Sequence, residues 1–314
     1  MNGQPKLAPN QRALDSDEET DHDIEEALFI GVSWGHAGNV WRKDGKLLTR
    51  VGVPNFTPVP VEGTSTVSQT LRKQFTQNVV LHQMTLQPGQ FYPRIARSTD
   101  QHPLDVPSFF RVDRREQYGS ARHFSSLVRQ LDEVLEAIEP TRENFDSYGN
   151  RTRNLLLLIC TECENQMRGV LRANGVEKDQ YRTGDFIRLL EPMRLNEYSV
   201  EFSEMPWLGE FRPFEQWCRK APTKSLQWYD SYNAAKHDRA KHFHRASLMS
   251  VLEALAALWT LLSAQYGPSW RTIEATERIF TQQKYPRWRY SDVYCMAYPS
   301  SGFEPEQVRL FPYG

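Results

Sequence analysis

Four cysteines in 314 residues are too few to staple a fold together, so the chain is expected to rest on an apolar core in a reducing compartment. No uninterrupted apolar run reaches the roughly 18 to 20 residues that a bilayer demands. The best candidate, 248–262, is broken by Ser250, Glu253 and Thr260. The first 25 residues lack the basic start, apolar centre and small-residue cleavage site of a secretion signal. A cytoplasmic protein with no membrane partner is the expectation. The phosphate-cradling loops GxxxxGKS/T and GxGxxG are missing, as is the nucleophile elbow GxSxG. Their absence removes the usual nucleotide hydrolases, dinucleotide enzymes and elbow-type hydrolases.

What is present is globular in composition, with 25% charged and 12% aromatic residues. The net charge of -1 conceals an uneven distribution. Residues 1–27 carry eight acids (Asp15, Asp17, Glu18, Glu19, Asp21, Asp23, Glu25 and Glu26) against Lys6 and Arg12. The rest holds 36 bases and 31 acids, a formal +5 that permits a polyanionic partner without requiring one. An acidic, aromatic-free lead of this kind predicts a solvated, disordered tail over 1–27.

Patterning divides the remainder. Residues 28–118 read as a β-rich or loop-rich module: a short apolar run at 28–34, an Asp44-Gly45 pair at a hairpin tip, then Pro54, Pro58, Pro60, Pro88, Pro93, Pro103 and Pro107, which forbid long helices. Ser120 is the expected N-cap of an amphipathic helix with Phe124, Leu127, Leu131, Val134, Leu135 and Ile138 on one face. A second helix is predicted over 151–173, with Leu155, Leu158, Ile159, Met167, Val170 and Leu171 inward and Gly175 beyond its end. Shorter helices are expected near 183–193, 213–220 and 225–236, and a last one over 244–266. The fold class is therefore α+β: a helical bundle over 119–267 joined to the β-rich N-terminal module. A C-terminal extension, 268–314, is expected to return a strand through Trp288, Tyr290, Val293 and Cys295 to that module.

Chemistry-bearing side chains concentrate in 232–245, where Tyr232, Asn233, Lys236, His237, Asp238, Arg239, Lys241, His242, His244 and Arg245 fall at the end of one helix and the start of the next. Trp228, Tyr232 and Ala235 supply a packed stripe. Asn233, Lys236 and His237 share the neighbouring face at i, i+3 and i+4. Imidazole can move a proton near neutrality, and a guanidinium can clamp a phosphoryl group as it gains charge, so this pairing suits phosphodiester transfer. No cofactor or metal is needed for that chemistry.

The order of elements resembles the HEPN superfamily. The resemblance rests on the helix beginning Thr152-Arg-Asn-Leu, the later Trp228-Tyr-Asp-Ser-Tyr-Asn-Ala-Ala-Lys-His-Asp-Arg239, and a Leu/Ala-rich last helix. These are small all-α domains, commonly homodimeric, many of them metal-independent endoribonucleases of toxin–antitoxin and antiviral-defence systems. Their signature is an Arg, four to six residues, then a His; Arg239 and His244 fit it, with Ala240-Lys-His-Phe243 between. The resemblance implies RNA as substrate, cleavage by the ribose 2'-hydroxyl at a dimer interface, His244 as acid and base, Arg239 as the charge clamp, and an antidote or sensor protein as partner. Ala240 stands where active members usually have a polar residue. His237 and His242 are rival imidazoles, and Asn233 and Lys236 are supporting candidates.

Two further readings stay open. Domains of this resemblance also serve as non-catalytic interaction or regulatory modules. His237, His242 and His244 could instead hold a metal. For Cys160 and Cys163, buried positions on a helix are expected rather than a zinc site, since only Cys218 and Cys295 could complete a set.

Overall fold

The computed structural model describes residues 21–34, 37–53, 55–97, 114–267, 270, 279–295, 303 and 305–311. Helix and strand are mixed, and the sheets are mainly antiparallel. The chain divides into two compact units, 1–88 with 289–303, and 89–288 with 304–314.

The first unit is built on a five-stranded sheet. In chain order it contains α1 (Asp21–Glu26), β1 (Phe29–Trp34), β2 (Ala37–Asp44), β3 (Leu47–Arg50), β4 (Val59–Pro60), α2 (Val67–Lys73) and β5 (Val80–Gln83). The strands lie in the order β4-β3-β2-β1-β5, all antiparallel. The Asp44-Gly45 pair does turn the chain: Asp44 faces Leu47, and Gly45 takes φ +61° at the first corner. Period-two alternation sends Ile30 and Val32 into a core with Trp41, Leu48 and Leu81. Val67 and Leu71 of α2, itself started by a Thr66–Gln69 capping box, close that core.

The acidic lead is corrected by this packing. Residues 21–26 are helical, Ile24 and Ala27 are buried in the same core, and Glu25 accepts from the Ser68 amide at the start of α2. Apolar Ile24 is what the charge count overlooked. The remaining tail, 1–20, lies outside the described residues.

The second unit contains β6 (Gln90–Phe91), α3 (Arg114–Leu135), α4 (Asn150–Ala173), α5 (Thr183–Phe186), β7 (Ser199–Phe202), β8 (Glu210–Phe211), α6 (Gln227–His237), α7 (Arg239–His242), α8 (Leu248–Tyr266), β9 (Phe280–Lys284) and β10 (Glu306–Gln307). Helix α8 is its axis. Every residue of α8 except Met249 and Glu253 is buried, and α4, α6 and α3 all pack against it. By length and apolarity α8 is the one described helix that could cross a membrane, yet 89% of it is covered inside this fold. Burying each large apolar side chain contributes about 1.5 to 3 kcal/mol, so the Leu, Val and Trp side chains of α8 contribute substantially to the stability of the unit.

Several boundaries differ from the sequence expectations. Helix α3 starts at Arg114, so Ser120 is an interior residue, buried and accepting from Gln166 Nε2 rather than capping. Leu158 is 45% exposed, while Leu156, Cys160 and Cys163 fill the inward stripe of α4. Residues 213–220 form turns, with Trp217 bonded through Nε1 to the Pro222 carbonyl. Beside the helices stands a three-stranded antiparallel sheet, β8-β7-β9, absent from the all-helical expectation. The C-terminal extension is split between units: β9 and β10 join the second, while Tyr290–Asp292 joins the first as a 3-10 turn, not a strand. The Ser291 carbonyl there accepts from the Thr85 amide.

Candidate functional site

The site begins with the Trp228/Tyr232/Ala235 stripe, which is buried and fixes α6 against the core. Asp238 then breaks the helix; its side chain accepts from the Lys241 amide and so starts the single turn of α7. A 3-10 turn over Phe243–Arg245 follows, and Ser247 caps α8. The Arg245 guanidinium bonds Asp230 across 2.7 Å, anchoring the connection back onto α6. Arg239, Lys241 and His244 are exposed, His242 half-buried.

Distant chain completes the face. The turn before α4 lies alongside the start of α8: Leu248 N donates to Ser147 O at 2.8 Å, Met249 N donates to Phe145 O at 3.0 Å, and Tyr148 pairs with Ser247. This brings the rings of Tyr148 and Phe243 into a T-shaped pair, with centres 5.5 Å apart. The Arg239 guanidinium lies 5.2 Å over the Phe243 ring and donates to Asn150 Oδ1 at 3.0 Å. The imidazole of His244 is 6.4 Å from the Tyr148 ring and 6.5 Å from that of His242. Arg239 and His244 therefore flank one aromatic pair, and His242 stands next to His244.

The other predicted residues part company. Lys236 is exposed, but its ammonium donates to the Tyr232 hydroxyl at 2.9 Å, and that bond raises its pKa above the ordinary lysine value. Desolvation by burial raises that of Tyr232. Among the described residues the side chains of Asn233 and His237 make no hydrogen bond or ion pair with each other or with Lys236, whose ammonium is taken up by Tyr232. Nor do His237, His242 and His244 make a metal-binding group: among the described residues no three His, Cys, Asp or Glu side chains are placed to hold an ion. Cys160 and Cys163 are buried, and desolvation pushes both thiols well above the ordinary cysteine pKa, the opposite of a thiolate ligand.

Sequence reasoning missed Tyr148, Phe243 and Asn150. The signal was faint: Tyr148-Gly149-Asn150 looks like any turn before a helix, and only the fold brings it beside residue 239. It also missed a buried polar knot elsewhere in the unit. There Arg94, at φ +59°, donates to Gln265 and Gln166 at 2.9 Å each and pairs with Glu116. An open polar cavity of about 520 Å³ near the C-terminal end of α4, lined by Arg172, Glu177, Lys178 and Asp179, balances its charges and singles out no ligand class. Compared with protein-family models, curated proteins and solved structures, the chain matches none of them.

Proposed function

We propose that the second unit is a HEPN-like helical domain acting in the cytoplasm as a metal-independent endoribonuclease of toxin or phage-defence type. One observation carries this reading: Arg239 and His244, the pair singled out by sequence, are both exposed and flank the same Phe243–Tyr148 aromatic pair. A site of proton transfer to a bulky polyanion has to be open in this way.

In the proposed reaction an imidazole takes the proton of a ribose 2'-hydroxyl. The freed oxygen attacks the adjacent phosphorus, and the bond from phosphorus to the 5'-oxygen breaks. That oxygen leaves with a proton from an imidazolium, giving a 2',3'-cyclic phosphate and a 5'-hydroxyl end. His244 is assigned the acid–base role, with His242 close enough to serve as the second imidazole. Arg239 stays charged and offsets the negative charge gathering on the non-bridging oxygens. Pairing two copies of the motif across a homodimer belongs to the same proposal, as does an antidote or sensor partner.

End-labelled RNA incubated with the protein in EDTA tests the proposal. Cleavage is expected, with His244→Ala and Arg239→Ala each reducing it by roughly 10² to 10⁴. No cleavage, or cleavage unchanged in both variants, overturns it; RNA that is bound but never cut supports the non-catalytic reading instead.

A further inference from the structure

The exposed ring of Tyr148 is unaccounted for by proton transfer. Its backbone is clamped to the start of α8 through Ser247, and its ring meets that of Phe243 at nearly a right angle. Still the residue is 52% exposed, and its hydroxyl has no hydrogen-bond partner among the described residues. Single exposed aromatics are ordinary on protein surfaces. The neighbours are not ordinary: an arginine held over Phe243 and tied to Asn150, and two imidazoles, the nearer 6.4 Å from the Tyr148 ring. A rigid aromatic face beside a cation and a proton-transfer group matches the layout of one nucleotide, whose flat base lies next to an anionic phosphodiester.

We propose that Tyr148 stacks an unpaired nucleobase, so that the ligand of this face is single-stranded RNA. The inference rests on the RNA reading above and names the substrate form it would take. Base–aromatic stacking contributes about 1 to 3 kcal/mol per base and tolerates any base, because each has a π-face. A duplex withholds those faces, since its bases are stacked on one another and its deep major groove admits no side chain. With a base on Tyr148, the adjoining phosphate falls towards Arg239 and the His242–His244 pair. Tyr148 is on this account a positioning residue that selects unpaired over paired substrate, while cleavage stays with the imidazoles.

Fluorescence anisotropy of one labelled 12-nucleotide RNA, single-stranded and as a duplex, in EDTA with the intact protein, tests the inference beside the cleavage assay. Single strand is expected to bind at least tenfold tighter than duplex. Tyr148→Ala is expected to weaken single-strand binding by roughly five- to hundredfold and duplex binding hardly at all, with an unchanged melting temperature. Tyr148→Phe keeps the ring and is expected to stay within twofold of the native protein. Equal weakening by both variants assigns the effect to the hydroxyl and overturns stacking. Single-strand binding untouched by Tyr148→Ala but lost in Arg239→Ala overturns the platform and leaves the site standing. Tyr148-dependent binding without any cleavage upholds the platform and overturns the nuclease. If neither form of RNA binds, both fall.

Discussion

Arg239 donates from Nη2 to Asn150 Oδ1 at 3.0 Å, a bond between positions 89 residues apart that holds the guanidinium over Phe243. A long, exposed arginine loses rotamer freedom when it is held, so a neighbour that holds it beforehand lowers the cost of binding a phosphate. Asn150→Ala is expected to reduce RNA binding and cleavage by roughly three- to tenfold. Its melting temperature should barely move, because the bond is solvent-exposed. Parallel binding titrations and thermal melts check this; unchanged binding would make the contact incidental to function.

The first unit should be acid-labile through His82. Burial lowers its pKa from 6.5 to about 4, and Nε2 lies 2.8 Å from Ser33 Oγ. The folded state prefers the neutral ring, so its contribution is complete above pH 6.5 and is lost as pH falls from there towards 4. That loss is on the order of 2 to 3 kcal/mol. His82→Gln should flatten the fall in urea midpoint between pH 6.5 and 4.5.

Glu253 should act with the opposite sign. Desolvation raises its pKa from 4.5 to about 7, so the folded state prefers the protonated acid. Stability is complete below about pH 4.5 and declines as pH rises through 7, again by an amount on the order of 2 to 3 kcal/mol. Glu253→Gln, which stays neutral, is expected to raise the melting temperature at pH 8 and leave it near native at pH 5.

Glycine positions separate close packing from open surface. A Cβ on Gly169 would collide with the Arg94 guanidinium, which Gln166, Gln265 and Glu116 hold in place. Gly169→Ala is therefore expected to destabilise by about 1 to 3 kcal/mol, the range for leaving a buried polar group unsatisfied. At Gly119, also helical, a Cβ would meet nothing, so Gly119→Ala should be neutral or stabilising by up to roughly 1 kcal/mol. The denaturant midpoint should fall for Gly169→Ala and hold or rise for Gly119→Ala.

How much of this was readable from sequence depended on whether the information was local. Trp228, Tyr232 and Ala235 repeat at helical spacing and are buried as that spacing implies, and the Leu/Ala run of 248–266 gives the central helix. Ser120 misled because the apolar periodicity begins beside it; the preceding turn, with Arg114, Arg115 and Glu116, continues the helix without an apolar signal. Phe214 and Trp217 have helical spacing too, but their segment is held as turns by bonds such as Trp217 to Pro222. For the candidate site, Arg239 and His244 could be picked out from one segment. Asn150 and Tyr148 could not, because their part in the face is created by tertiary pairing of 145–148 with 247–249. Of Asn233, Lys236 and His237, Lys236 is the one with a side-chain partner among the described residues, the Tyr232 hydroxyl one turn before it.

The turn at Tyr290–Asp292 bears on the order in which the protein can be made. Tyr290 lies against Gly31 and Gly38, where any Cβ would run into its ring, and beside His82, whose ring centre is 5.2 Å away. On a ribosome, β1 to β5 emerge early, but the ring that covers this patch is synthesised only after the chain has passed residue 288. The strands of this sheet therefore precede in synthesis the side chain that closes over their glycines, and the patch is completed only once residue 290 has joined the chain.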